Sequence, residues 1–249
     1  MNQLRDKVAV ITGGNSGIGL ATAKAFAREG AQVIITGRRP EALDEAVAEI
    51  GNGAIAIAGD VSQPAHHHKV VAQVRQQFSK VDIYVSNAGA NTIEPTASVT
   101  EQSFDAQFAI NTRGVFFGVQ KMLPILRDGG GIILISSIAS EKVLDGHAVY
   151  AGTKAAINAF ARSWSIELRE RRIRVNVLSP GPIKTAILEK LGIPADERPK
   201  FEMRMAAAIP AGRMGEADEV AAAALFLASE ASAFVNGVNL RVDGGMALL

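Results

Sequence analysis

The chain has 249 residues, with 26 Lys and Arg against 25 Asp and Glu and an apolar fraction of 48%. A formal charge of +1, in short charge blocks, supplies no field for nucleic acid or an anionic membrane. The absence of cysteine removes disulfides, thiolate chemistry and Cys-ligated metal, while the length suits one α/β core that buries roughly 75% of its unfolded surface.

The first strand is predicted at Val8–Ile11, entered with no apolar signal segment before it. The longest alanine-rich apolar stretch, Val220–Ala228, is too short to span a bilayer, so a cytoplasmic protein is expected. Gly13-Gly14-Asn15-Ser16-Gly17-Ile18-Gly19 follows the strand and opens a helix over Gly17–Glu29. Glycines let the backbone turn tightly against a pyrophosphate, and the free N–H groups and positive dipole end of the helix attract the anion. Further strands are predicted at Val33–Thr36, Ala54–Ala58, Ile83–Ser86, Ile132–Ile135, Val175–Leu178 and Val238–Val242. Their continuous apolarity means that both faces are covered. Helices are predicted between them at Pro40–Ile50, Pro64–Phe78, Glu101–Leu126, Ala148–Arg169 and Glu216–Ala228. The β–α alternation with right-handed crossovers predicts a doubly wound parallel sheet and one domain over residues 1–249. The irregular stretch 182–210, with Pro194, Pro199 and Pro210 among Ile187, Leu188, Leu191, Phe201 and Met205, reads as a mobile helical lid.

Tyr150 and Lys154 lie four residues apart and share a helix face. A phenol exchanges protons poorly at neutral pH unless a nearby positive charge favours its phenolate, and Lys154 is expected to supply that charge. Ser137 ends a buried strand and would bring a hydroxyl to the same place. His66-His67-His68 mimics a metal cluster, but adjacent helical residues point apart, so it is read as solvated surface and no metal is expected. His147 is read as a pocket-rim or surface residue, and Trp164 as core or interface packing.

Thr12-Gly13-x-x-x-Gly17-Ile18-Gly19, Asn87-Ala88-Gly89, Ser137, Tyr150-x-x-x-Lys154 and Pro180-Gly181 occur in the order and spacing of the short-chain dehydrogenase/reductase family. The chain resembles that family from about Lys7 to Gly245, and its glycine spacing differs from the common G-x-G-x-x-G fingerprint. The resemblance implies a Rossmann-type seven-stranded sheet in the order 3-2-1-4-5-6-7, helices on both faces and a homotetramer. It implies hydride transfer between nicotinamide C4 and a ketone or secondary alcohol. Tyr150 would be the acid or base, Ser137 would hold the carbonyl oxygen, and Lys154 would grip the nicotinamide ribose. Asn111 matches the asparagine that interrupts the long helix and anchors a water beside the lysine.

For the cofactor, Gly37 stands where NAD-preferring relatives carry an aspartate, and Arg38 and Arg39 follow with planar cations suited to phosphate. NADP(H) is therefore expected, while the neutral Asn15 and Ser16 leave room for NAD(H) turnover. Asp60 and Val61 match the adenine position, although Asp60 could equally close a turn. Asn87, Ala88 and Gly89 would pass the adenosine ribose; Pro180, Gly181, Ile183 and Thr185 would meet the carboxamide. The expected substrate wall is Ala90, Asn91, Ile138, Ser140, Val143, Leu144, His147, Leu188 and Met205, mostly apolar and suited to a hydrophobic or aromatic ketone. Two other readings compete: a 3-oxoacyl-(acyl-carrier-protein) reductase, and a dinucleotide-binding regulator without turnover. An enoyl reductase is disfavoured by the close Tyr-x-x-x-Lys spacing.

Overall fold

A computed structural model describes residues 2–185, 194 and 196–249. Seven β-branched runs form β1 (Val8–Thr12), β2 (Gln32–Gly37), β3 (Ile55–Ala58), β4 (Val81–Ser86), β5 (Leu126–Ile135), β6 (Arg174–Pro180) and β7 (Asn239–Val242). They pair in parallel in the spatial order β3-β2-β1-β4-β5-β6-β7, the expected arrangement. The helices are α1 (Gly17–Arg28), α2 (Pro40–Ile50), α3 (Pro64–Phe78), α4 (Glu101–Phe108), α5 (Gly114–Met122), α6 (Ala148–Glu167), α7 (Arg198–Ala207) and α8 (Ala217–Ala228).

Alternating strand residues feed two cores, because successive side chains point to opposite faces. Val10, Ile34, Tyr84, Ile132, Leu134, Val175 and Val177 pack beneath α3, α5 and α6. Ala9, Ile11, Val33, Ile35, Ile83, Val85, Ile133 and Ile135 pack beneath α1, α2 and α8. Each fully buried Ile, Leu or Val contributes roughly 1.5–3 kcal/mol. Trp164 is buried against Phe116 and Phe160, with ring centroids 5.6 and 5.4 Å away, which makes it a core residue.

The expected single helix Glu101–Leu126 is corrected. It is broken by a π turn at Ala109–Arg113 and closes in a 3-10 turn at Leu123–Ile125, and Leu126 already belongs to β5. Pro124 lacks a backbone N–H and stops the helix, and Leu126 is captured by pairing with Val81. The solvated reading of His66-His67-His68 also fails for two of the three. His66 and His67 are each 5% exposed, because the inner face of α3 falls on 66, 67, 70 and 74; His68 stays outside. A two-residue ladder of Ile183–Lys184 with Gly215–Glu216 was not expected. Within the irregular stretch, α7 lays Phe201 and Met205 against a small cluster of Ile138, Ile209, Met214 and Met246. Ile187, Leu188 and Leu191 lie outside the described residues. No helix among the described residues is long and apolar enough to cross a membrane.

The chain reverses direction of winding between β1 and β4, so their C-terminal ends open a crevice, the usual ligand position in such sheets. Side chains zip this junction. Thr12 Oγ1 accepts from the N–H groups of Asn87 (2.9 Å) and Ala88 (3.0 Å), and Asn87 Nδ2 donates to Thr12 O (2.9 Å) and Gly13 O (3.1 Å).

Candidate active site

A cleft of about 540 Å³ runs along the strand ends at this junction. Gly13, Asn15, Ser16, Gly17 and Ile18 line one part of it. Gly13 has φ +64, a conformation that L side chains avoid. A Cβ on Gly19 would run into Gly13 O and come within 2.5 Å of Asn87 Nδ2, so only glycine lets α1 start this close to the sheet. Ser16, the N-cap of α1, makes no side-chain capping bond, and the first turn carries no acidic residue. The N–H groups of that turn are left for an anion.

At one end the wall consists of Gly37, Arg38, Arg39, Gly59, Asp60 and Val61. Arg38 and Arg39 are exposed, and their side chains form no hydrogen bond or ion pair with the described residues. A Cβ at Gly37 would lie 2.6 Å from Asn15 Oδ1, so the place of an acidic side chain is taken by a neutral amide. Asp60 closes a turn by accepting from Ser62 N at 2.8 Å while still lining the cleft. His67 braces this wall from behind, its Nε2 donating to Val61 O at 2.8 Å. The neighbouring His66 has no partner for either ring nitrogen among the described residues, and burial, followed by the charges of His67 and Lys69, lowers its pKa to about 4.

At the other end β5 delivers Ser137 and α6 delivers Tyr150 and Lys154. Ser137 Oγ accepts from Ala139 N at 3.1 Å and hydrogen-bonds the Tyr150 hydroxyl. Lys154 is 3% exposed; its Nζ donates to Ile135 O at 2.9 Å and sits 5.6 Å from the Tyr150 ring centroid. Burial lowers the Lys154 pKa from 10.5 to about 8. Burial also raises the Tyr150 pKa, and the Ser137 hydrogen bond pulls it partly back. The expected lowering of Tyr150 by Lys154 is therefore not seen: desolvation of the phenolate dominates.

Asn111 sits in the π turn with its side chain committed. Its Oδ1 accepts from Ala90 N (2.8 Å), and its Nδ2 donates to Ala90 O (2.7 Å) and Thr153 Oγ1 (3.1 Å). The residue is a clamp between the Ala90 loop and α6, and both its amide donors are spent. A Cβ on Gly89 would lie 3.3 Å from Asn111 Oδ1 and 3.4 Å from Lys154 Nζ, which keeps this crossing free of side chains.

The cleft also gathers Asn87, Ala88, Gly89, Ala90, Asn91, Pro180, Gly181, Ile183 and Thr185. Other expected wall residues lie elsewhere. Ile138 is buried in the cluster that receives Met205, and Ser140 is tied to Ser137 O at 2.7 Å and Asn158 at 2.9 Å. Val143 is 95% exposed, and Leu144 is half-buried. His147 turns its ring edge toward Tyr150 at 6.2 Å while its Nδ1 bonds Asp145 O. Leu188 lies outside the described residues. Ile110, Ile135, Ser136 and Gly59 line the cleft without having been singled out; the first three neighbour Asn111 and Ser137, which was their only sequence signal.

Residues 13–247 match the profile of the family described as Enoyl-(Acyl carrier protein) reductase. The chain is 41% identical to "Oxidoreductase asL5" of Sarocladium schorii, covering 99% of this chain and 98% of that one. It is 35% identical to "Hydroxynaphthalene reductase-like protein Arp2" of Metarhizium majus, covering 97% and 95%. Among solved structures, a short-chain dehydrogenase/reductase from Serratia marcescens superimposes with a TM-score of 0.92 at 31% identity, covering 98% of this chain and 99% of that one.

Proposed function

Because the chain belongs to the short-chain dehydrogenase/reductase family, whose members are oxidoreductases using a nicotinamide dinucleotide, we propose that it is an NADP(H)-dependent carbonyl reductase. It acts on a ketone or secondary alcohol within one catalytic domain, with the 182–210 stretch as a lid. The observation that carries this reading is one cleft with Arg38 and Arg39 at one end, their side chains unpaired among the described residues, and Ser137, Tyr150 and Lys154 at the other.

The residues present fit the dinucleotide. The uncapped first turn of α1 would hold the pyrophosphate, Arg38 the 2′-phosphate, and Asp60 with Val61 the adenine. When bound, the nicotinamide supplies or takes a hydride at C4. Ser137 holds the substrate oxygen through its hydroxyl, and Tyr150 donates the proton to that oxygen as it becomes an alkoxide. Lys154, brought under the Tyr150 ring, stabilises the phenolate left behind. Asn111 is a positioning residue, fixing the loop opposite Lys154 through Ala90.

The phrase "hydroxynaphthalene reductase-like" in the Metarhizium relatives' names supports an aromatic ketone. NAD(H) turnover is a minor activity on this reading, since Asn15 and Ser16 are neutral. A homotetramer is supported by exposed apolar side chains: Phe104 on α4, Ile166 on α6, Phe226 on α8 and Phe234 beyond it. The four-residue interval between Tyr150 and Lys154, with Ser137 bonded to the phenol, favours carbonyl over enoyl reduction.

Tyr150→Phe is expected to cut NADPH-dependent ketone reduction by about 10²–10⁴-fold while NADPH still binds. Retained turnover would mean that another group supplies the proton. A panel of aryl ketones, α-ketoesters and acetoacetyl thioesters separates the reductase readings, and NADPH binding without any turnover would favour the regulator.

A further inference from the structure

Buried polar side chains are almost always hydrogen-bonded, so an unspent one in a cleft marks a place for a ligand. At the catalytic end of this cleft nearly every uncharged polar side chain is spent. Ser136 Oγ donates to Lys154 O at 3.0 Å, Thr153 Oγ1 donates to Tyr150 O at 2.7 Å, Asn111 clamps Ala90, and Asn87 clamps Thr12 and Gly13. Asn91 is the exception. Among the described residues its side-chain amide forms no hydrogen bond, and its Oδ1 is shut from solvent without a partner, although the residue lines the cleft together with Tyr150 and Ser137.

The backbone around Asn91 is pinned on both sides. Ala90 is held by both its peptide groups to Asn111, Thr92 N donates to Gln107 Oε1 at 3.3 Å, and Glu94 N donates to Gly146 O at 2.9 Å. That last bond ties the Asn91 loop to the segment leading into Tyr150, and Ile93 packs on Gly146, where an added Cβ would meet it at 2.9 Å. The loop that carries this amide is thus fixed, and the amide bonds nothing among the described residues, so it serves as neither a cap nor a turn.

We propose that Asn91 is a second substrate anchor, and that the preferred substrate is a carbonyl compound bearing a separate hydroxyl group. An amide offers an acceptor oxygen and an NH₂ with two donor hydrogens, and a hydroxyl is a small group that can both donate to the first and accept from the second. This inference rests on the carbonyl-reductase reading and adds a specificity determinant to it.

The test is steady-state reduction of acetophenone and its ortho, meta and para hydroxy isomers by wild type, Asn91→Leu and Asn91→Asp. For each isomer, the kcat/KM ratio to acetophenone is compared between enzymes, so the intrinsic reactivity of the ketone cancels. At least one isomer is expected to lose about tenfold of that ratio in Asn91→Leu, the loss of one hydrogen bond in a dry site. Asn91→Asp, which keeps an acceptor for the hydroxyl, is expected to retain most of it. Ratios that agree within about twofold between wild type and Asn91→Leu for all isomers would overturn the proposal while leaving the reductase reading intact. Absence of turnover on every ketone despite NADPH binding would overturn both.

Discussion

Removing the Lys154 amine should stabilise the fold. Burial takes its pKa from 10.5 to about 8, so at about 1.4 kcal/mol per pH unit the ammonium costs the folded state roughly 3 kcal/mol at pH 7. Between pH 8 and 10.5 the unfolded chain binds more protons than the folded one, so stability rises with pH across that window and the penalty disappears above it. Lys154→Met keeps the length of the side chain and deletes the charge. It also leaves Ile135 O without its 2.9 Å donor, which gives back about 1 kcal/mol. The variant without cofactor should therefore be about 2 kcal/mol more stable than wild type at pH 7, with the difference shrinking as pH rises through 8 toward 10.5, while ketone reduction is lost. Urea unfolding of both proteins at several pH values from neutral to about 10.5 measures this directly. A variant less stable than wild type at pH 7, or a difference that does not change with pH, would refute the reasoning that Lys154 is held charged against its desolvation.

Arg38→Asp removes a cation with no other partner and adds repulsion toward a 2′-phosphate, so the NADPH/NADH ratio of kcat/KM should fall about 100-fold or more; an unchanged ratio would mean that Arg38 does not read the phosphate. Gly19→Ala forces a methyl into Gly13 O and Asn87 Nδ2. NADPH affinity by fluorescence titration should weaken by at least about tenfold in a protein with wild-type circular dichroism, and a Kd within twofold would show that the turn can yield. His66 is neutral in the fold, with its pKa lowered from 6.5 to about 4, so the unfolded chain takes up the extra proton as pH falls from 6.5 to about 4 and stability is lost across that interval. His66→Leu should flatten this part of the stability profile, and an identical acid transition in the variant would assign the loss to other groups.

The sheet was legible because both its faces are covered: Val8–Ile11, Val33–Thr36 and Ile132–Ile135 are unbroken apolar runs and fall inside β1, β2 and β5. The first half of β5 was not, since Arg127, Asp128 and Gly129 are exposed and look like a turn. That Tyr150 and Lys154 share a face could be read from their spacing, because four residues on a helix fix a common side whatever surrounds it, while their expected roles came from the family resemblance. Burial could not be read that way. His66 and His67 look hydrophilic, and only the position of Pro64 at the start of α3 and the packing of that helix on the sheet turn them inward. Nor could hydrogen bonding: Asn91 and Asn111 are one residue type near one cleft, and only the fold separates the clamp from the unspent amide.

The π turn at Ala109–Arg113 sets the phase of α5. A π turn closes i→i+5 and takes in one residue more than an α turn, so it absorbs that residue without rotating the helix that follows. An α-helix advances about 100° per residue, so the same sequence wound as one regular α-helix would turn α5 by about that angle relative to α4. Val115, Val119 and Met122 would then swing out of the sheet-facing core they now fill. The core thus holds the widened turn open, and Asn111 in its place within it.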